Sequence, residues 1–183
     1  MKIKRLSASF GKLQKEELAF GGGLNIVTAP NEAGKSTWCA FIRAMLYGIN
    51  SSERDKIGYL SDKTRYRPWD GSPMEGVMDI EDHGKAITLQ RTSHGAAPMK
   101  KFIAVYTGTN QRVDFLNGEN AGEMLTGVSE QVFERTAFIK QSQLHVNQTA
   151  ELERRIAALV STGEEHSSFT ESVGKLRCLL YTS

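Results

Sequence analysis

Asn31-Glu32-Ala33-Gly34-Lys35-Ser36-Thr37 sets a glycine, a lysine and two hydroxyls in consecutive positions, a set of groups suited to holding a polyphosphate. Phosphate oxygens need many donors converging on a small negative target. The first turn of a helix supplies them, as free backbone N–H groups and the positive end of the helix dipole. Pro30, Asn31, Glu32 and Ala33 would line the loop, and Gly34 would let the backbone approach a phosphate closely. Lys35 would reach the β- and γ-phosphates of ATP, Ser36 would ligate Mg²⁺, and Thr37 would donate toward the α-phosphate.

Those groups must be positioned by a strand, a tight turn and a helix. Leu24, Ile26 and Val27 predict a short strand and Ala29 to Gly34 a turn. Trp38, Phe41, Ile42, Met45 and Leu46 recur at helical spacing and predict a helix from Lys35 to Tyr47, closed by Gly48. This is the Walker A pattern G-x-x-x-x-G-K-[ST] with Ala29 in place of the first glycine, so the turn must tolerate a Cβ there. Gly-Lys-Ser alone is a weak signal, and the strand before it and the apolar helix after it give it weight. Gly21-Gly22-Gly23 lacks dinucleotide-fingerprint spacing and precedes the strand, so it reads as a hairpin turn.

Along the chain, residues 2–10 and 12–20 predict two strands leading into the phosphate loop. Residues 48–76 are polar and turn-rich and predict a long surface loop. Within it Arg65-Tyr66-Arg67-Pro68-Trp69, with Lys56 and Lys63 upstream, is the densest basic and aromatic cluster. Either Trp69 packs into the core while the arginines stay solvated, or the cluster holds phosphates and stacks bases of ATP or DNA. Residues 77–81, 86–91, 102–106 and 113–116 predict an antiparallel meander, and residues 119–125 and 129–136 two short helices. The segment from Phe138 to Leu144 is apolar-led. Thr149 would cap a helix ended by Gly163, with Arg154 and Arg155 on its solvated face. Ser168 and Glu171 have capping-box spacing, and Phe169, Val173, Leu176 and Leu180 step by four, three and four, which fits either an amphipathic helix or the start of a coiled coil. The chain stops inside that helix with no terminating signal, as an interrupted reading frame would.

The 183 residues carry a formal net charge of +2, too mild to argue for nucleic acid by itself. Cys39 and Cys178 have neither metal nor disulfide spacing, which suits a reducing cytoplasm. His83, His94, His145 and His166 show no paired ligand spacing, leaving Mg²⁺ as the expected metal. No secretory signal and no apolar run of membrane-spanning length is present, so a soluble, intracellular protein is expected.

The amino-terminal strand pair, Gly-Leu-Asn-Ile-Val running into Asn31 to Thr37, the strand-rich middle, Phe138-Ile-Lys-Gln141-Ser-Gln143 and the incipient coiled coil together resemble the SMC/RecN/SbcC group of ABC-type ATPases, and within it the YhaN-type branch. Nearly the whole chain is covered, but only as the amino-terminal lobe of such an ATPase. The resemblance implies an α/β fold: an incomplete ABC-type P-loop NTPase lobe with an antiparallel meander and flanking helices, spanning residues 1–166, with 167–183 opening a coiled-coil arm. It also implies that Gln141 contacts Mg²⁺ and the attacking water, with Gln143 the nearby alternative. The implied partners are the protein's own carboxy-terminal lobe, a second subunit sandwiching ATP, DNA, and in some members a nuclease; the nucleoid is an alternative address to the open cytoplasm.

Two departures stand out beside Ala29. Glu32 occupies a position where many members carry glycine, and no run of four apolar residues ends in Asp-Glu, so a Walker B motif is missing. Val77-Met78-Asp79-Ile80-Glu81 is the nearest candidate but alternates as a half-exposed strand does. Val160 to Glu164 reads as a helix stop rather than a signature loop. A lobe with the cradle but no acidic partner should bind ATP better than it hydrolyses it. The expected function is thus ATPase activity in a DNA-associated protein, in repair or chromosome maintenance; the alternative is a nucleotide-gated scaffold with weak or no hydrolysis. A small-molecule kinase would need an all-parallel core, which the antiparallel middle argues against.

Overall fold

A computed structural model describes residues 1–138. The chain divides into two units, Met1–Glu134 and Arg135–Ser183, and the sheet and phosphate loop belong to the first. The predicted segments built on Gln141, Gln143, the Thr149–Gly163 helix and the heptad steps lie outside the described residues, as does the expected boundary at 166.

β1 (Lys2–Phe10) turns through Gly11 and Lys12 into β2 (Leu13–Ala19). β3 (Glu75–Asp82), β4 (Lys85–His94) and β5 (Ala97–Tyr106) follow. They form one antiparallel sheet in the order β2-β1-β3-β4-β5. Period-two alternation puts one face of each strand inward. The register therefore assembles rows: Leu6, Met78, Leu89 and Ala104 stand side by side across four strands, and Ala8, Gly76, Arg91 and Phe102 form the adjacent row.

α1 (Lys35–Tyr47) lies on that face and buries Phe41, Ala44, Met45 and Leu46. Burying a large apolar side chain is worth about 1.5–3 kcal/mol, so the sheet rather than helix propensity holds α1 in place. Gly76 makes the close approach possible, because a Cβ there would come within 2.3 Å of the Phe41 ring. At the other end α3 (Ala121–Thr126) crosses Tyr47 at Gly122, where a Cβ would meet the phenol ring at 2.3 Å. The Tyr47 hydroxyl donates to the carbonyl of Val128 at 2.9 Å, and its ring packs on Phe133 of α4 (Glu130–Thr136).

The opposite face of the sheet is polar. Arg5 donates to Asp79 at 2.9 Å, Thr88 donates to the same carboxylate at 2.7 Å, and Lys4 pairs with Glu81 at 2.8 Å. Asp79 and Glu81 are thus turned away from the α1 side, as their alternation with buried Met78 and Ile80 requires.

Three expectations are corrected. Leu24, Ile26 and Val27 form no strand and stand exposed, Leu24 at 88 % and Ile26 at 76 %. A strand needs a neighbour to take its N–H and C=O groups, and among the described residues none runs beside this segment. The glycine triplet is consequently not a hairpin: the Asn25 side chain closes it, accepting from the Gly21 N–H at 2.9 Å and donating to the Gly23 carbonyl at 3.0 Å. Residues 113–116 form no strand: the isolated bridge here lies just before them, Val105 to Arg112, and Leu116 turns back onto the Val113 carbonyl.

Candidate phosphate-binding site

α1 begins where the sequence places it. Gly34 is its N-cap, with φ of 89°, a left-handed conformation that glycine adopts without steric cost, and a Cβ there would also press within 3.2 Å of Leu13. No side chain caps the helix and no acidic residue sits in its first turn. The amino-terminal N–H groups and the dipole are left to an external anion.

Lys35 folds back over the loop. Its ammonium donates to the carbonyls of Ala29 and Pro30, the latter at 2.7 Å, so the side chain spans the concavity from the helix to the loop entrance. The loop is braced by the Ala33 N–H on the Pro30 carbonyl at 3.3 Å and by the Trp38 N–H on the Gly34 carbonyl at 3.1 Å. Lys12, from the turn between β1 and β2, donates to the Glu32 carbonyl. Two ammonium groups therefore converge on a loop whose residues 29–33 are exposed. Ala29 is accommodated at an exposed position outside any helix or strand.

Glu32 has φ of 65°, a left-handed conformation that costs a non-glycine residue about 1 kcal/mol or more. The backbone thus takes there the shape a glycine would favour, although the residue is not one. Ser36 and Thr37 occupy the first turn, Ser36 exposed and Thr37 half-buried. Thr37 Cγ2 lies 3.3 Å from the point a Cβ on Gly11 would occupy, and the Tyr66 backbone comes within 3.6 Å of the same point.

That contact shows where the 48–76 loop goes. The Gly11 N–H donates to the Tyr66 carbonyl at 2.7 Å, and the Tyr66 ring stacks on Phe10 with centroids 4.8 Å apart. Tyr66 is the aromatic anchor of this loop and Trp69 is 72 % exposed, so the reading in which Trp69 tucks into the core is overturned. The loop also contains an element the sequence reading missed, α2 (Asp62–Arg65). Asp55 accepts from the Ser61 N–H and hydroxyl and from the Thr64 hydroxyl, and Arg43 of α1 pairs with Asp62 on α2 and with Glu134 on α4. The Asp-x₅-Ser-x₂-Thr pattern was the available signal for the first of these anchors.

The donor set fits a nucleotide triphosphate with Mg²⁺: an uncapped helix start, a lysine held only by neutral carbonyls, and a hydroxyl at Ser36 to serve the metal. Ser36 would hold Mg²⁺, which when bound would offset the charge of the phosphates. Lys35 would exchange two carbonyl acceptors for phosphate oxygens.

A helix-starting phosphate loop set beside an antiparallel sheet defines a P-loop NTPase-like lobe. The chain belongs to the AAA domain family, whose model matches residues 1–155. Domains of this family are nucleotide-binding ATPase modules that generally use ATP and Mg²⁺. No curated protein matches the chain. Among the described residues no helix is long and apolar enough to cross a membrane.

Proposed function

We propose that this chain is the ATP-binding amino-terminal lobe of an ABC-type ATPase of the SMC/SbcC kind, acting on DNA in repair or chromosome maintenance in the cytoplasm. The observation that carries the nucleotide reading is the Lys35 ammonium drawn across the loop onto the Ala29 and Pro30 carbonyls at the uncapped start of α1. Pro30 to Thr37 hold the triphosphate, Ser36 and Gln141 serve Mg²⁺, and Gln141 positions the water.

Two observations favour completion by further parts. Leu24, Ile26 and Val27 present exposed apolar side chains on a segment outside any strand immediately before the loop, suited to pairing with strands of a carboxy-terminal lobe. The carboxylates nearest to a Walker B pattern, Asp79 and Glu81, are held by Arg5, Thr88 and Lys4 on the far face of the sheet. The acid that orients water comes in this reading from that second lobe, and a second subunit closes over the ATP. Those same carboxylate positions keep the nucleotide-gated scaffold as the alternative.

The test is hydrolysis. The 183-residue chain alone should turn over ATP far more slowly than ordinary enzymatic rates of about one or more per second, and adding the carboxy-terminal lobe in trans should restore hydrolysis and ATP-dependent dimerisation. A purified chain that hydrolyses ATP at ordinary rates, with Lys35→Ala inactive as the contamination control, would contradict it. A complete protein that binds ATP and does not hydrolyse it would establish the scaffold.

A further inference from the structure

Trp69 is presented to solvent by a hydrogen-bonded turn. It follows buried Pro68 in a turn closed by the Gly71 N–H on the Pro68 carbonyl at 3.1 Å, and Asp70 accepts from the Ser72 N–H at 2.9 Å to fix the next step. Tyr66, three residues earlier, is pinned to Phe10 and Gly11. A large indole left 72 % exposed on a backbone anchored on both sides gains little from burial, which is a poor use of a tryptophan in a loop that only needs to be soluble.

Its neighbour gives the direction. The Lys12 ammonium sits 5.6 Å from the centre of the Trp69 ring while donating to the Glu32 carbonyl of the phosphate loop. The indole centre is therefore no farther than about 9 Å from that carbonyl, one ammonium–ring distance and one hydrogen bond away. The loop carrying Trp69 also comes up to Gly11 beside Thr37, the residue that in the cradle reading would donate toward the α-phosphate. A nucleotide whose triphosphate lies in the loop extends its ribose and base from that end.

We propose that Trp69 is the stacking platform for the base of the bound nucleotide, with Lys12 tying the platform to the phosphate loop. This rests on the reading of Ala29 to Thr37 as the triphosphate cradle. An aromatic face recognises a purine or pyrimidine through stacking alone, so the platform supplies affinity with little choice between bases. It also couples base to loop, because movement of the Trp69 turn carries Lys12 and the Glu32 carbonyl with it.

Calorimetry with Mg²⁺ on the full 183-residue chain separates the platform from the cradle when ATP and inorganic tripolyphosphate are used side by side. Trp69→Ala should weaken ATP about tenfold or more, in the range that loss of base stacking produces, and leave tripolyphosphate affinity unchanged; Trp69→Phe should keep most of the ATP affinity. The unchanged tripolyphosphate affinity doubles as the control for folding. Equal loss for both ligands, or no loss for ATP, would overturn the platform while leaving the cradle intact. Unchanged ATP affinity with reduced binding of a single-stranded oligothymidylate would overturn it in favour of a nucleic-acid surface. A wild-type chain that holds neither ATP nor tripolyphosphate would remove the cradle, and the platform with it.

Discussion

The Arg91 guanidinium, on the buried face of β4, donates through Nε to the carbonyl of Met45 in the last turns of α1 at 2.9 Å. The other nitrogens reach the carbonyls of Leu46, Met99 and Gly118 at 3.2, 3.2 and 2.8 Å, and the Phe102 ring lies 4.7 Å from its carbon. Arg91 is 2 % exposed, and burial pushes its pKa down to about 10, still charged at neutral pH. The helix that starts at the phosphate loop is thus fastened at its negative end by a cation rising from the sheet.

Arg91→Met should lower stability by about 2–4 kcal/mol, since several carbonyls lose their donor inside the protein. Arg91→Lys should recover only part of it, because an ammonium cannot reach acceptors spread over a planar fork. Urea denaturation measures both; a lysine variant as stable as wild type would show that charge alone suffices.

Gly76→Ala should cost about 1–3 kcal/mol by driving a methyl into Phe41, and Phe41→Leu should relieve part of that loss when the two are combined. The double-mutant cycle is the readout, and strict additivity would contradict the contact.

Acid should loosen the protein through identifiable carboxylates. Hydrogen bonds from Ser61 and Thr64 hold Asp55 below its ordinary 3.8, Lys4 holds Glu81 below 4.5, and His83 with the amino terminus holds Asp82 below 3.8. A lowered folded-state pKa contributes stability that is complete above the unfolded value and is lost as pH falls through the folded one. Glu130, raised by burial, works in the opposite sense. Between pH 6 and 3 the urea midpoint should therefore fall, most of the loss coming below about 4. Asp55→Asn should start lower at pH 6 and fall less; a flat profile in wild type would contradict the assignment.

Under the proposed function Gln141→Ala should leave ATP affinity unchanged and depress turnover in the assembly with the proposed second lobe, because a group that orients water would act in the transition state. Wild-type turnover in Gln141→Ala with a loss in Gln143→Ala would move the role two residues along.

What could be read from the chain follows the range of the interactions concerned. Lys35 to Gly48 was legible because helix periodicity, the glycine before Lys35 and the glycine after Tyr47 are all local, and β3 and β4 because apolar and polar residues alternate along them, while β1 alternates only from Leu6 onward. The strand expected at Leu24 to Val27 was not obtained because a strand is a property of two segments, and no partner segment is recognisable from one. The exchange of roles between Tyr66 and Trp69 was illegible for the same reason: only the fold places Phe10 beneath one ring and Lys12 beside the other. Arg91 reads in sequence as an ordinary charged strand end, and its burial depends on the carbonyls of a helix more than forty residues away.

The most direct measurement of the central claim is calorimetric titration of Mg²⁺-ATP into the wild-type chain and into Lys35→Ala. In the proposed site Lys35 would make charge-assisted hydrogen bonds to phosphate oxygens, so its removal should weaken binding by at least about a hundredfold, leaving no measurable heat at ordinary concentrations. Equal affinity of the two proteins for Mg²⁺-ATP would contradict the assignment of this loop as the nucleotide site.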